Sequence, residues 1–139
     1  MIKTVIIDDE PKAIGLLRSY LTHFTDFEVV NTFRNGLKAL EYLNQKPVDV
    51  IFLDINMPHL NGLSLSKMIS AETILVFTTA YAEHAVESYT VSALDYLLKP
   101  ISLERFSGTI IKITERLNSK NTSSGKKEVP KTLFIKSGL

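Results

Sequence analysis

The chain alternates between short, almost wholly apolar runs and longer segments in which apolar residues recur every three or four positions. Short apolar runs indicate strands that are covered on both faces, and the longer period indicates amphipathic helices. The predicted strands are Thr4–Ile7, Glu28–Phe33, Asp49–Leu53, Ile74–Phe77 and Leu94–Leu98. Because a predicted helix follows each strand, the pattern favours a doubly wound α/β sandwich with right-handed helical crossovers between parallel strands.

Prolines mark two ends of the predicted helices. Pro11 lies where a first helical turn would begin, and Pro47 closes the second helix. A weaker helix is predicted over Glu83–Tyr89. The apolar residues that define the other four helices are Ile14, Leu17, Leu21 and Phe24, then Leu37, Leu40 and Leu43, then Leu63, Leu65, Met68 and Ile69, and finally Leu103, Phe106, Ile110, Ile113 and Leu117.

Polar residues of different kinds follow four of the apolar runs. Asp8 and Asp9 follow the first, Asp54 the third, Thr79 the fourth and Lys99 the fifth. Open parallel sheets place their chemistry beyond the carboxyl ends of the strands, so these side chains would share one crevice. Carboxylates are ligands that suit Mg²⁺, and a lysine on the far side would attract an anion. The sequence therefore predicts a site for a cation and a phosphate.

Each of these residues also has a plainer interpretation. The two acids after the first strand could simply cap the helix that begins at Pro11. Thr79 could bond its own backbone, and Lys99 could be an ordinary exposed lysine. Their occurrence in this order at the ends of four strands favours the shared site.

The composition narrows the class of protein. The chain of 139 residues has room for one domain and a tail, and the absence of cysteine excludes disulfides and thiolate metal sites. This usage is compatible with a reducing compartment, so we expect a cytoplasmic protein. No apolar stretch approaches the roughly 18 residues needed to cross a bilayer. The histidines His23, His59 and His84 have no ligand-like spacing and are interpreted as surface residues.

The composition changes after residue 118. Residues 119–131 are rich in Asn, Ser, Thr, Gly and Lys, as flexible linkers are, and residues 132–139 predict one more strand. Five lysines stand against one glutamate over residues 120–139, a charge more typical of a solvated linker than of a nucleic-acid site. We therefore expect a domain over 1–118, a linker, and the first strand of a further domain in a longer protein.

Short sequence motifs contain or flank these polar residues. These are Asp8-Asp9, Asp54 followed by Asn56-Met57-Pro58 and Asn61-Gly62, then Thr79-Ala80, and Tyr96 three positions before Lys99-Pro100. Over residues 1–118 the pattern closely resembles the receiver domain of two-component response regulators. The resemblance implies a flavodoxin-like fold with strand order 2-1-3-4-5. It also implies a phosphorelay switch rather than an enzyme, which takes a phosphoryl group from a sensor histidine kinase and catalyses only its own phosphotransfer and dephosphorylation.

The resemblance also implies a role for each residue of the crevice. Asp54 would be the phospho-acceptor. Mg²⁺ would be held by Asp9, Asp54 and the backbone carbonyl of Asn56, with Asp8 acting through water. Lys99 would hold a phosphoryl oxygen as a point charge, and the peptide bond that follows it is expected to be cis.

Switching is implied by the same family. The Thr79 hydroxyl and the Ala80 backbone N–H would bind the other phosphoryl oxygens. After phosphorylation Thr79 would move toward the phosphate and Tyr96 would turn inward. This would change the surface of the fourth helix, fifth strand and fifth helix, through which a homodimer could form. Asn56 and Tyr81 occupy positions that tune the rate of phosphate loss in the family.

The tail carries a second resemblance. Residues 93–101, the polar linker and the strand from Leu133 resemble the LytTR-type regulators, whose output is a β-rich DNA-binding domain. DNA is therefore an expected partner through a domain that this chain lacks. The match over the tail is short and identifies no DNA-contacting residue.

Two alternatives come from other classes of protein. A Mg²⁺-dependent phosphohydrolase of the haloacid dehalogenase type also uses an aspartyl phosphate. It needs an Asp-x-Asp motif after the first strand, whereas here Asp8-Asp9-Glu10 leads directly to Pro11. A nucleotide-binding module would need glycines in the first turn, where Gly15 stands alone.

Overall fold

Five strands form the central sheet and overlap the five predicted apolar runs. The computed structural model describes residues 1–82 and 92–125, the last six of them by their backbone alone. The strands are β1 (Ile2–Ile7), β2 (Phe27–Phe33), β3 (Val50–Asp54), β4 (Ile74–Thr79) and β5 (Asp95–Leu98).

The sheet confirms the predicted flavodoxin-like topology. Its strand order is β2-β1-β3-β4-β5, and each pair of neighbours is parallel. β3 is buried at every position because it lies between two strands and is covered on both faces. The winding direction reverses between β1 and β3, and open α/β sheets bind ligands beyond the carboxyl ends of the strands at such a point.

Four helices are described, and an asparagine side chain caps the beginning of two of them. They are α1 (Pro11–Leu21), α2 (Gly36–Gln45), α3 (Gly62–Ser66) and α4 (Leu103–Gly125). Asn35 caps α2, because its Oδ1 accepts a hydrogen bond from the Leu37 N–H at 2.8 Å. Asn61 caps α3 in the same way through the Ser64 N–H at 2.8 Å.

Two helices differ in length from the prediction. α3 ends at Ser66, so the predicted extension through Met68 and Ile69 is wrong, and Met68 is 53% exposed. Backbone bonds of the tighter i to i+3 kind close this helix early, including one from Lys67 N–H to Ser64.

α4 continues to Gly125, so residues 119–125, which composition assigned to the linker, are helical. Asn, Ser and Thr lower helix stability only slightly per residue, which composition alone does not weigh.

The chain divides into two compact units, Met1–Phe106 and a second that begins at Ser107. In the first unit, Phe52 of β3 and Phe106 of α4 are almost fully buried, with ring centroids 5.3 Å apart. The ring of Tyr20 packs on Phe106 at 5.4 Å. These tilted aromatic contacts fix the beginning of α4 beside β3. The second unit is described only where it continues α4.

Two predicted elements fall outside the described residues. The predicted helix over Glu83–Tyr89 and the predicted strand within residues 132–139 lie outside the described residues. Within the described ranges, no helix combines the length and the hydropathy needed to span a membrane.

Candidate functional site

Three aspartate side chains meet where β1 and β3 end. Ile7 pairs with Leu53 across the two strands, so the residues that follow them reach the same edge of the sheet. One carboxylate oxygen from each of Asp8, Asp9 and Asp54 lies within 4.8 Å of the others. Asp8 is 1% exposed and Asp54 3%, whereas Asp9 is partly exposed. The predicted acidic crevice is therefore present, with one side open to solvent.

Lys99 brings a positive charge to the same place. Its Nζ lies 2.9 Å from Asp8 Oδ2 and 3.8 Å from Asp54 Oδ1. A third carboxylate oxygen, Glu10 Oε1, lies 3.7 Å away. The backbone N–H of Lys99 donates to the Thr79 carbonyl at 2.7 Å, which anchors the residue at the end of β5. The peptide bond that follows Lys99 is cis, as predicted.

Crowding determines the electrostatics of the crevice. Burial and the neighbouring charge of Asp8 raise the pKa of Asp54 from 3.8 to about 7, although Lys99 acts in the opposite direction. Burial lowers the pKa of Lys99, but its contacts with Asp8, Asp54 and Glu10 outweigh burial and raise it. Lys99 is therefore cationic, and the acids around it still repel one another.

The donor set fits a divalent cation. Asp8 Oδ2 is buried, and the Lys99 ammonium lies 2.9 Å from it. Carboxylate oxygens are the ligands that Mg²⁺ prefers, usually together with retained water. A cation shared by Asp8, Asp9 and Asp54 would relieve the repulsion that helps to raise the pKa of Asp54.

A series of hydrogen bonds leads from Asp54 to Tyr96. The Asn56 N–H donates to Asp54 Oδ1 at 3.2 Å, and Asn56 Oδ1 accepts from the Thr79 hydroxyl at 2.7 Å. Thr79 Oγ1 accepts from the Tyr81 N–H at 3.2 Å. The Tyr81 carbonyl accepts from the Tyr96 hydroxyl at 2.8 Å. The crevice is thus connected by direct contacts to a half-buried tyrosine on β5.

The loop after β3 returns to the end of that strand at Gly62. The Gly62 N–H donates to the Ile55 carbonyl at 2.8 Å. A Cβ at position 62 would lie 2.8 Å from Ile55 Cα and closer still to the Asp54 carbonyl oxygen. Within the loop His59 adopts the left-handed conformation, with φ of 73°. Gly62 is therefore required by the close approach of two backbone segments behind the crevice.

The capping interpretation of the acids explains only part of what is observed. Asp8 Oδ1 accepts from the backbone N–H of Glu10 at 2.9 Å, and Glu10 is the N-cap residue of α1. The Glu10 side chain makes no capping bond within the described part of the chain and lies instead near Lys99. Sequence reasoning missed this contact, although Glu10 directly follows the two aspartates. Ala80 lies at the exposed rim immediately after Thr79.

Arg105 makes a further contact that the sequence did not indicate. Its guanidinium donates two hydrogen bonds to the Asp95 carboxylate, at 2.9 and 2.8 Å, and one to the Tyr96 carbonyl at 3.1 Å. The hydrogen bonds to Asp95 raise the pKa of Arg105. This arrangement depends on where α4 begins relative to β5, which residue spacing does not reveal.

Comparisons with known sequences identify similar proteins. The profile of the family described as "Response regulator receiver domain" matches residues 4–111. The transcriptional regulatory protein YpdB of Escherichia coli strain K12 is 39% identical over 125 residues, which is 88% of this chain and 51% of YpdB. The chain thus spans about half the length of the curated relatives it matches.

Solved structures show the same similarity. The response regulatory domain of MrkE from Klebsiella pneumoniae has a TM-score of 0.78 and 36% identity, with 84% of this chain and 98% of that chain covered. The response regulator TrrA from Thermotoga maritima, solved in complex with Mg²⁺ and beryllofluoride, has a TM-score of 0.73 and 26% identity. The match covers 81% of this chain and 99% of the TrrA chain.

Proposed function

This chain belongs to the response regulator receiver domain family, and we propose that it accepts a phosphoryl group on Asp54 from a phosphohistidine of a sensor histidine kinase. Receiver domains act as phosphorelay switches and not as classical enzymes. One observation carries the proposal. The buried Asp54 carboxylate at the end of β3 lies within 4.8 Å of the carboxylates of two other aspartates and 3.8 Å from the Lys99 ammonium.

The proposed transfer breaks one bond and forms another. A carboxylate oxygen of Asp54 attacks the phosphorus atom in line, the P–N bond of the phosphohistidine breaks, and the imidazole leaves with the electron pair. Asp54 must be ionised to attack, and the nearby charge of Lys99 favours the ionised form by lowering the pKa. To reset the switch, water attacks the phosphorus, the bond between phosphorus and the Asp54 oxygen breaks, and the free carboxylate and inorganic phosphate result.

Groups that lie near Asp54 would bind the transferred phosphoryl oxygens. Lys99 would hold one oxygen as a point charge, and the Thr79 hydroxyl and Ala80 N–H would bind the others. The positions of these residues support the assignment, because Thr78 pairs with Asp54 across β3 and β4 and Thr79 and Ala80 follow directly. Such donors stabilise the negative charge that develops on the phosphoryl oxygens in the transition state.

Receiver domains bind Mg²⁺ at an acidic pocket, and this chain has such a cluster of aspartates. We assign Asp9, Asp54 and the backbone carbonyl of Asn56 as ligands, with Asp8 acting through water. When bound, Mg²⁺ supplies positive charge that offsets the negative charge of the phosphoryl group. The convergence of one carboxylate oxygen from each of Asp8, Asp9 and Asp54 to within 4.8 Å supports this assignment.

The output of the switch is proposed on other grounds. Thr79 would move toward the phosphoryl group, Tyr96 would turn inward, and the altered surface would support a homodimer. The fourth predicted helix of that surface falls within residues 83–91, outside the described ranges. YpdB is named a transcriptional regulatory protein, and the tail resembles LytTR-type regulators. We therefore infer a cytoplasmic regulator whose longer chain binds DNA through a LytTR-type domain.

Labelling with acetyl phosphate and Mg²⁺ tests the phospho-acceptor. We expect one acid-stable, base-labile phosphoryl group per chain, detected by intact mass. Asp54→Asn should abolish labelling, whereas Asp26→Asn, which alters an exposed carboxylate elsewhere, should retain it. Normal labelling of the Asp54→Asn variant would reject the assignment. Continuous turnover of a phosphomonoester without a stable label would instead indicate the phosphohydrolase.

A further inference from the structure

The side chain of Asn56 holds the hydroxyl of Thr79. Asn56 Oδ1 accepts a hydrogen bond from the Thr79 hydroxyl at 2.7 Å. This is the shortest of the three hydrogen bonds that connect Asp54, Asn56, Thr79 and Tyr81. The backbone N–H of the same Asn56 donates to Asp54 Oδ1. One residue therefore contacts both the proposed phospho-acceptor and the hydroxyl that would sense the phosphate.

A threonine hydroxyl has one proton to donate. In this structure that proton is directed at Asn56, and the Thr79 oxygen already accepts the Tyr81 N–H. Thr79 is fully buried, so bulk water does not compete for the proton. A phosphoryl oxygen on Asp54 can accept a hydrogen bond from the Thr79 hydroxyl only if the bond from that hydroxyl to Asn56 Oδ1 breaks.

The Thr79 hydroxyl and the Asn56 amide differ in their exposure to water. The buried hydroxyl keeps one hydrogen bond in either state, to the amide or to the phosphoryl group. Asn56 is an exposed residue, so water can solvate its amide oxygen after release. The competition therefore opposes phosphoryl binding only modestly, as a switch that operates reversibly requires.

We propose that Asn56 is a positioning residue that holds Thr79 in the resting state through its amide oxygen, in competition with the phosphoryl group for the Thr79 hydroxyl. This inference rests on the proposed function, because it presupposes a phosphoryl group on Asp54. It assigns the side chain of Asn56 a role separate from that of its backbone carbonyl.

Beryllofluoride, an aspartyl phosphate analogue, provides the test. Asn56→Ala removes the amide and keeps the backbone carbonyl, so beryllofluoride affinity with Mg²⁺, measured by calorimetry, should rise about threefold to tenfold. Mg²⁺ affinity without beryllofluoride should change less than about twofold. Asn44→Ala, an exposed asparagine on α2, is the matched control and should bind as the unaltered chain does.

A double-mutant cycle separates this role from other effects of Asn56. Thr79→Val removes the hydroxyl, so adding Asn56→Ala to that variant should leave beryllofluoride affinity unchanged. An independent readout is the amide resonance of Tyr81, whose N–H donates to Thr79 Oγ1 and should shift in the Asn56→Ala variant.

Each outcome of this experiment is decisive. Unchanged or reduced affinity in Asn56→Ala, or an equal gain in the Thr79→Val background, would overturn the positioning role while the proposed function stands. If the unaltered chain neither binds beryllofluoride nor is labelled on Asp54, the proposed function fails and this inference fails with it.

Discussion

At the scale of single residues, Asp54 holds its proton more tightly than an ordinary aspartate does. Burial and the charge of Asp8 raise its pKa to about 7, above the 3.8 of a free side chain. The folded protein therefore binds a proton that the unfolded chain has already released. The ionised carboxylate lowers the free energy of unfolding above about pH 7, and this cost disappears as pH falls toward about 4.

Asp54→Asn should therefore stabilise the metal-free protein in alkaline solution. With EDTA at about pH 8, we expect the free energy of unfolding in urea to rise by roughly 1 to 3 kcal/mol. At about pH 4 the gain should vanish, because the aspartate is then protonated in the folded state. Asp26→Asn should change stability by less than about 0.5 kcal/mol at either pH. A gain of equal size at both pH values would contradict the assigned electrostatics.

At the scale of elements, two glycine substitutions test how closely the loop between β3 and α3 approaches the end of β3. Gly62→Ala should destabilise the protein by about 2 kcal/mol or more, because the new Cβ would meet the backbone of Asp54 and Ile55. Gly15→Ala lies inside α1 with nothing within 4 Å of the new Cβ, so it should stabilise by about 0.5 to 1 kcal/mol. Chemical denaturation of both variants provides the measurement. A neutral Gly62→Ala would show that the loop does not approach β3 this closely.

The elements also show how far sequence reasoning reaches. Apolar runs predict the five strands of the described sheet, and the carboxyl ends of parallel strands lie at one edge, so a crevice shared by Asp8, Asp54 and Lys99 is expected from the pattern. The bond between Asn56 and Thr79 did not follow, because it depends on the path of a loop and on side-chain rotamers. The polar composition of residues 119–125 indicates a linker, yet these residues continue α4, because Asn, Ser and Thr lower helix stability only slightly per residue. The chemical roles of the site residues stay predictions until they are tested by substitution.

At the scale of the whole molecule, Mg²⁺ should stabilise the fold, because it would bind the folded crevice and not the separated acids of the unfolded chain. We expect saturating MgCl2 to raise the free energy of unfolding by about 1 to 3 kcal/mol. Asp9→Asn should lose most of this gain, and Asp26→Asn should keep it. Thermal unfolding with and without MgCl2 measures the effect, and an equal gain in Asp9→Asn would place the ion elsewhere.

The guanidinium of Arg105 links the beginning of α4 to the strand that carries Tyr96. It donates to both carboxylate oxygens of Asp95 and to the backbone carbonyl of Tyr96. A displacement of the β5 backbone at Tyr96 would therefore have to break this contact or move the first turn of α4 with it. The two elements are coupled through the main chain as well as through the aromatic side chain.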